Sequence, residues 1–196
     1  MPTAPDDLLA LLRSALDQAG DLIAATTPDQ AGRPTPCRSW DLHALVNHTV
    51  HDVEQFTRMA AGDTYERAEA DLIGDDWAGA YRAAAAGLPE AWRRPGALER
   101  TVHLPWGDEP ATWSLGQQIA DLAVHAWDIA KGSGQPADLD PEVGAYALAW
   151  GRDNLKPPFR GAEADGKSFG PEVLVDPGAP VYDRLAGVFG RDPGVR

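Results

Sequence analysis

The stretch Ser114-Leu-Gly-Gln-Gln-Ile-Ala-Asp-Leu-Ala-Val-His-Ala-Trp-Asp-Ile-Ala-Lys131 reads as one amphipathic helix. Leu115, Ile119, Leu122, Ala126 and Ile129 recur at three- and four-residue spacing and so form one apolar stripe. Ser114, with Gln117 three residues on, has the form of a capping box, and Gly132-Ser133-Gly134 stops the helix. Asp121 and His125, one turn apart, project together from the flank of the stripe, only about 40° from each other.

Working outward, the same period recurs. Leu8, Leu12, Ala15, Ala19, Leu22 and Ile23 predict a first helix from about Pro5 to Ala25, with Pro5, Asp6 and Asp7 suited to its first turn. Thr26 to Arg38 holds three prolines and a glycine and is a connecting loop. A second helix is expected from an N-cap at Ser39 to about Ala61, ending at Gly62, with Leu42, Leu45, Val46, Thr49, Val53, Phe56 and Ala60 facing inward. A third, from about Asp75 to Trp92, is weakened by Gly79 and Gly87. Thr101 to Leu104 reads as a short extended piece before a turn at Pro105 to Pro110. Beyond the quoted helix, Asp140 caps another that starts at Pro141. Leu155 to Pro171 is a loop, and Pro180 to Gly190 is a short terminal helix. Long amphipathic helices with almost no strand point to an all-α, antiparallel four-helix bundle. The expected organisation is a single domain over 1–196, with a C-terminal extension from about 155 to 196.

Composition bounds the function. The 196 residues are 43% hydrophobic and 24% charged, which supports a globular core. Thirty acidic residues against 17 basic ones, a net charge of -13, exclude nucleic acid as a partner and disfavour anionic membranes. Cys37 is the one cysteine, so no intramolecular disulfide forms. Met1 to Asp7 lacks the pattern of a signal peptide, and no apolar run reaches about 20 residues, so a cytoplasmic protein is expected.

There are five histidines: His43, His48, His51, His103 and His125. His48 lies roughly 110° from the centre of the second helix's stripe, on the flank that faces an inter-helix groove. His51 lies opposite the stripe and His43 on the other flank, and both are expected to be solvated. If His48 faced Asp121 and His125, two imidazoles and a carboxylate would form a facial set with open positions for water or substrate. Spacing alone leaves two plainer readings open: a surface Asp–His hydrogen-bonded pair, and a core-edge histidine satisfied by a carbonyl.

A resemblance bears on that choice. Thr35-Pro-Cys-Arg-Ser-Trp-Asp-Leu-His-Ala-Leu-Val-Asn-His48 resembles the second-helix motif of the DinB-like metal-binding bundles, in the branch related to mycothiol-dependent maleylpyruvate isomerase. Asp121-Leu-Ala-Val-His125-Ala-Trp-Asp-Ile-Ala130 is similar to that branch's other metal helix, and Arg184-Leu-Ala-Gly-Val-Phe-Gly-Arg-Asp-Pro193 to its ending. The resemblance implies a divalent ion held by His48, Asp121 and His125. Zinc comes first, with nickel or iron(II) as alternatives. Two departures stand out. The isomerase has Glu where Asp121 stands, which makes Asp128 the fallback ligand or a group orienting an imidazole. It also has an additional C-terminal domain, for which this chain is too short.

The activity implied is a thiol-dependent isomerisation or S-transfer on a small electrophile, with mycothiol as the thiol. The rival reading is a non-catalytic metal-binding or stress-associated protein, as a homodimer. Cys37 is read as a packing residue, Trp106 and Trp113 as candidate walls of a pocket, and Gly161 to Gly170 as a plain loop.

Overall fold

A computed structural model describes residues 4–64, 70–104, 106–162 and 165–194. It contains seven α-helices: α1 (Pro5–Ala24), α2 (Leu42–Ala61), α3 (Trp77–Ala85), α4 (Leu88–Arg93), α5 (Ala111–Ser133), α6 (Pro141–Asn154) and α7 (Val181–Val188). A hairpin of β1 (Thr101–Leu104) and β2 (Gly107–Pro110) pairs antiparallel, Thr101 opposite Pro110, and leads straight into α5. Pro105, in the expected turn, lies outside the described residues.

Four elements close a ring: α1 packs on α5, α5 on α2, α2 on α3, and α3 on α1. Contacts give the directions. Leu42 at the start of α2 lies against Gly132 at the end of α5, so these two run antiparallel. The Tyr81 hydroxyl donates to the Leu16 carbonyl at 2.9 Å, while Leu9 and Trp92 line one shallow depression, so α1 and the α3–α4 arm are antiparallel too. Within the other two pairs the helices run the same way: Gln135, just past α5, donates to the Leu22 carbonyl near the end of α1. His43 stacks edge-on against Trp77 where α2 and α3 both begin. The helix α6 packs on the outer side of α5, and α7 on α6.

That arrangement makes α5 the central element. Its buried residues go all round the helix, from Leu115 and Ile119 to Gly116, Ala120, Val124 and Trp127, as expected of a helix with neighbours on every side. One hydrophobic core runs continuously from Leu8 to Phe189.

Three boundaries differ from expectation. The cap of α2 is Asp41, whose Oδ1 accepts from the Ala44 amide at 2.9 Å, not Ser39. Helix α5 begins three residues before Ser114, because β2 delivers Pro110 in an extended conformation at the N-cap; Ser114 sits inside the helix and accepts from Gln118. The expected third helix is two, broken where Gly87 and Pro89 interrupt the ladder. The Gly62 and Gly134 stops both adopt left-handed backbone, φ 106° and 77°, which glycine takes without strain.

Because the Asp41 cap satisfies an otherwise orphaned amide, Asp41→Ala is expected to lower stability by about 1 kcal/mol. A urea unfolding midpoint unchanged from the parent chain would show that the cap contributes nothing.

Candidate functional site

The loop between α1 and α2 folds back on the end of α5. Arg33 Nη1 and Gln30 Nε2 both donate to the Ser133 carbonyl, at 2.7 and 3.1 Å. Thr35 Oγ1 donates to the Trp40 carbonyl at 2.8 Å and holds that indole beside the helix. A Cβ at residue 132 would lie 3.0 Å from the Thr35 methyl and 3.4 Å from Leu42, so glycine there permits the close approach. These contacts set the register in which α2 crosses α5.

In that register His48 and His125 meet edge to face, ring centroids 5.1 Å apart, with Trp40 tilted over His48 at 4.2 Å. Four side chains converge. His48 Nε2 is 2.9 Å from Asp52 Oδ2, and His125 Nε2 is 3.7 Å from Asp121 Oδ1. Asp52 and Asp121 are close enough to influence each other's ionisation. His48, Asp52 and His125 each offer a ligand atom within 4.8 Å of the other two. Asp121 belongs to no such triplet; it reaches the group through His125 and Asp52. The side chains grade from 34% exposed at His48 through 19% at both aspartates to 6% at His125, so the cluster opens to solvent on the α2 side.

Its electrostatics follow from burial. Desolvation pushes the Asp121 carboxyl up to about 6, assisted by Asp52 and opposed by the two histidines. For Asp52 desolvation acts upward too, but the charge and hydrogen bond of His48 outweigh it and hold the carboxyl below its usual range. His48 is raised: burial works against its charge, and Asp52 overcomes it. Neighbouring carboxylates repel when both are ionised, which is part of what raises Asp121 while Asp52 is held charged by His48.

Behind His125 lies a second group. Its Nδ1 is 3.4 Å from Asp128 Oδ2, and this buried nitrogen has no hydrogen-bond partner among the described residues. Asp128 is fully buried and takes Arg191 Nη2 at 2.9 Å, Arg191 Nε, and the Cys37 thiol at 3.2 Å. Burial raises its carboxyl, but Arg191 more than offsets this and holds it low. Arg191 Nη2 also donates to Cys37 Sγ at 3.1 Å. Burial pushes the Cys37 thiol far up, with Asp128 reinforcing the shift, so it remains a protonated donor. Cys37, His125 and Asp128 form a second triplet of potential ligand atoms.

The donor set suits a divalent cation. His48, Asp52 and His125 offer ligand atoms close enough to share one cation, and Asp121 stands beside His125 at 3.7 Å. Ligation at His125 Nε2 would put the ring proton on Nδ1, on the side where Asp128 stands.

Measured against the sequence, the structure brings His48 to His125 across the α2–α5 contact and keeps Asp121 beside His125. Asp128 stands behind the imidazole, locked to Arg191, rather than among the facing groups. Asp52 was missed. Its signal was present, since His48-x-x-x-Asp52 mirrors Asp121-x-x-x-His125 on the partner helix. His43 and His51 are half-exposed, held by Asp71 at 3.7 Å and the Ala70 carbonyl at 2.6 Å, and His103 pairs with Asp108 across the hairpin. Trp106 packs edge-on against Trp113 and Phe159. Of the Gly161–Gly170 loop, residues 163 and 164 lie outside the description.

A helical bundle with inward-facing histidines and carboxylates on two crossing helices defines a DinB-like protein. More narrowly, the chain belongs to the family described as the mycothiol maleylpyruvate isomerase N-terminal domain, which it matches over residues 12–130. Two solved structures resemble it in fold. The mycothiol-dependent maleylpyruvate isomerase superposes with a TM-score of 0.61 at 16% identity, and a point mutant of that enzyme with 0.64 at 14%. Each alignment covers 98% of this chain and 82% of the other, so the likeness continues past the family match into α6 and α7. Uncharacterized protein Rv0738 of Mycobacterium tuberculosis strain H37Rv is 38% identical over 186 residues, 95% of this chain and 98% of that protein. Uncharacterized protein MT0763 of strain CDC 1551 / Oshkosh matches to the same extent. Among the described residues no helix is long and apolar enough to cross a membrane.

The titrations have a definite sign. Asp121 and His48 are both raised in the folded chain, so their contribution to stability is present at low pH. It is lost as pH rises, through about 6 for Asp121 and above 6.5 for His48. The metal-free protein is therefore expected to unfold at lower urea at pH 8 than at pH 5, and Asp121→Asn should flatten that difference. An unchanged pH dependence in Asp121→Asn would show that the carboxyl does not titrate as described.

Proposed function

We propose that the chain is a cytoplasmic, divalent-metal-dependent enzyme that uses a low-molecular-weight thiol to isomerise a small electrophile or to transfer sulfur to it. The observation that carries this reading is the convergence of His48 and His125, from α2 and α5, on a shared pair of carboxylates. Family membership supports the thiol: the solved relatives are named as mycothiol-dependent isomerases, so mycothiol is the first candidate.

In this reading His48, Asp121 and His125 hold the ion, zinc before nickel or iron(II). When bound, it would act as a Lewis acid and keep a thiol in its thiolate form near neutral pH. Asp52, 2.9 Å from His48 Nε2, orients that imidazole. Asp128 stands behind His125 and fixes the ring, and Arg191 keeps Asp128 charged and in place. Trp40 covers the outer edge of the imidazole pair and excludes water from that side. The half-exposed His48 edge is the face through which thiol and electrophile approach. Cys37, a protonated donor to Asp128, is not the nucleophile.

Calorimetric titration of the metal-free chain with zinc tests the ligands. His48→Ala and His125→Ala are each expected to weaken binding more than a hundredfold, and Asp128→Asn, which acts through His125, about 10–100-fold. Unchanged affinity in His48→Ala would remove the proposed ligand set. Catalysis is tested separately, with the zinc-loaded chain, mycothiol and maleylpyruvate: thiol-dependent loss of the substrate is expected. Tight metal binding without turnover of this or other small electrophiles would favour the non-catalytic alternative.

A further inference from the structure

The metal reading uses Asp52 only to orient His48, and the geometry gives it more to do. Asp52 lies on α2 one turn after His48, with its Oδ2 2.9 Å from His48 Nε2. Ligand atoms of His48, Asp52 and His125 all lie within 4.8 Å of one another. Asp121 enters no such triplet among the described residues. The side chains of His48 and Asp52 are both part-exposed, so an ion arriving from solvent can reach them.

The chemistry of the ring sharpens the point. An imidazole nitrogen has one lone-pair direction, so it carries a proton there or binds a cation, never both. In the metal-free chain Nε2 is the atom that His48 turns toward Asp52. Once that nitrogen ligates an ion it can no longer donate, and Asp52 is left charged with no donor on that side. Ligation would supply the missing partner. The spacing agrees. Metal bonds of about 2.0–2.2 Å, at angles between square and tetrahedral, set neighbouring ligand atoms about 2.9–3.4 Å apart. The 2.9 Å between His48 and Asp52 falls inside that window, whereas the 3.7 Å from His125 Nε2 to Asp121 Oδ1 lies just outside it.

The order of residues fits as well. Along α2 the histidine comes first and the aspartate four positions later, and along α5 the order is reversed. Because the two helices run antiparallel, imidazole meets imidazole and Asp52 comes near enough to Asp121 to affect it. Metal sites in helical bundles draw matching ligands from facing helices in this way.

We infer that Asp52 is a ligand of the ion, beside His48, His125 and Asp121, so that two imidazoles and two carboxylates surround it. The inference rests on the reading that the ion occupies the histidine pair. Two carboxylates balance a dication, and a thiol then enters as a fifth ligand rather than as the fourth.

The test is a double-mutant cycle on the full chain, with zinc affinity read by competition against a chromophoric chelator. Asp52→Asn keeps the shape and an acceptor oxygen but loses the charge, and is expected to weaken zinc at least about tenfold. A residue that only orients His48 has nothing to act on once His48 is alanine. A ligand still matters there, so Asp52→Asn is expected to cost at least about tenfold in the His48→Ala background too. Should a variant fail to fold or bind too weakly to measure, diffraction from the zinc-loaded parent chain decides, with an Asp52 oxygen expected about 2.0–2.2 Å from the ion. Two results would overturn the assignment and leave the metal reading standing. One is loss of the Asp52→Asn effect in the His48→Ala background. The other is an Asp52 carboxylate beyond about 3 Å from an ion held by His48 and His125. Zinc bound away from the histidine pair would overturn both.

Discussion

The antiparallel contact of α2 with α5 is the constraint from which the rest follows. Its register is fixed at one end, where Gly132 lets Leu42 and Thr35 approach and where Arg33 and Gln30 clamp the Ser133 carbonyl at the end of α5. From there the helical repeat does the work. The residue one and a half turns into α2, His48, arrives opposite the one two turns before the end of α5, His125. A slip of one residue would rotate each side chain by about 100° and scatter the cluster.

Because α5 has neighbours on most sides, several of its polar residues are buried, and most of these are held by a partner. Gln118 accepts from the Trp92 indole at 2.8 Å and reaches Ser114, while Ser133 bonds back to the Ile129 carbonyl. Asp128 is saturated by Arg191 and Cys37. Against this background the His48–Asp52–Asp121–His125 group stands out. Two carboxylates sit beside two imidazoles, burial raises one of those carboxyls, and His125 Nδ1 has no hydrogen-bond partner among the described residues. A buried polar group that the fold leaves half satisfied is where a ligand is expected.

Much of this was legible in the chain. Apolar stripes gave the helices, and four-residue spacing put Asp121 and His125 on one face, because both depend on local geometry that a sequence carries directly. The same rule applied to α2 would have found Asp52. What local rules could not reach are contacts between distant segments: Arg191 meets Asp128 across 63 positions and Cys37 across 154, and no periodicity encodes either. Cys37, read as packing, is a hydrogen-bond donor for that reason. The errors at Ser39 and Ser114 have another origin. Both have cap-like sequences, but tertiary structure moved the helix starts, in one case because Asp41 competes and in the other because a strand runs directly into the helix.

The central claim, that the two imidazoles and their carboxylates grip one divalent ion, is tested most directly by anomalous diffraction at the zinc edge from crystals of the zinc-loaded chain. The account predicts a single strong peak between α2 and α5, about 2.0–2.1 Å from a nitrogen of both His48 and His125 and within ligand distance of Asp121. A peak elsewhere, or none at the histidine pair with zinc in excess, would contradict it.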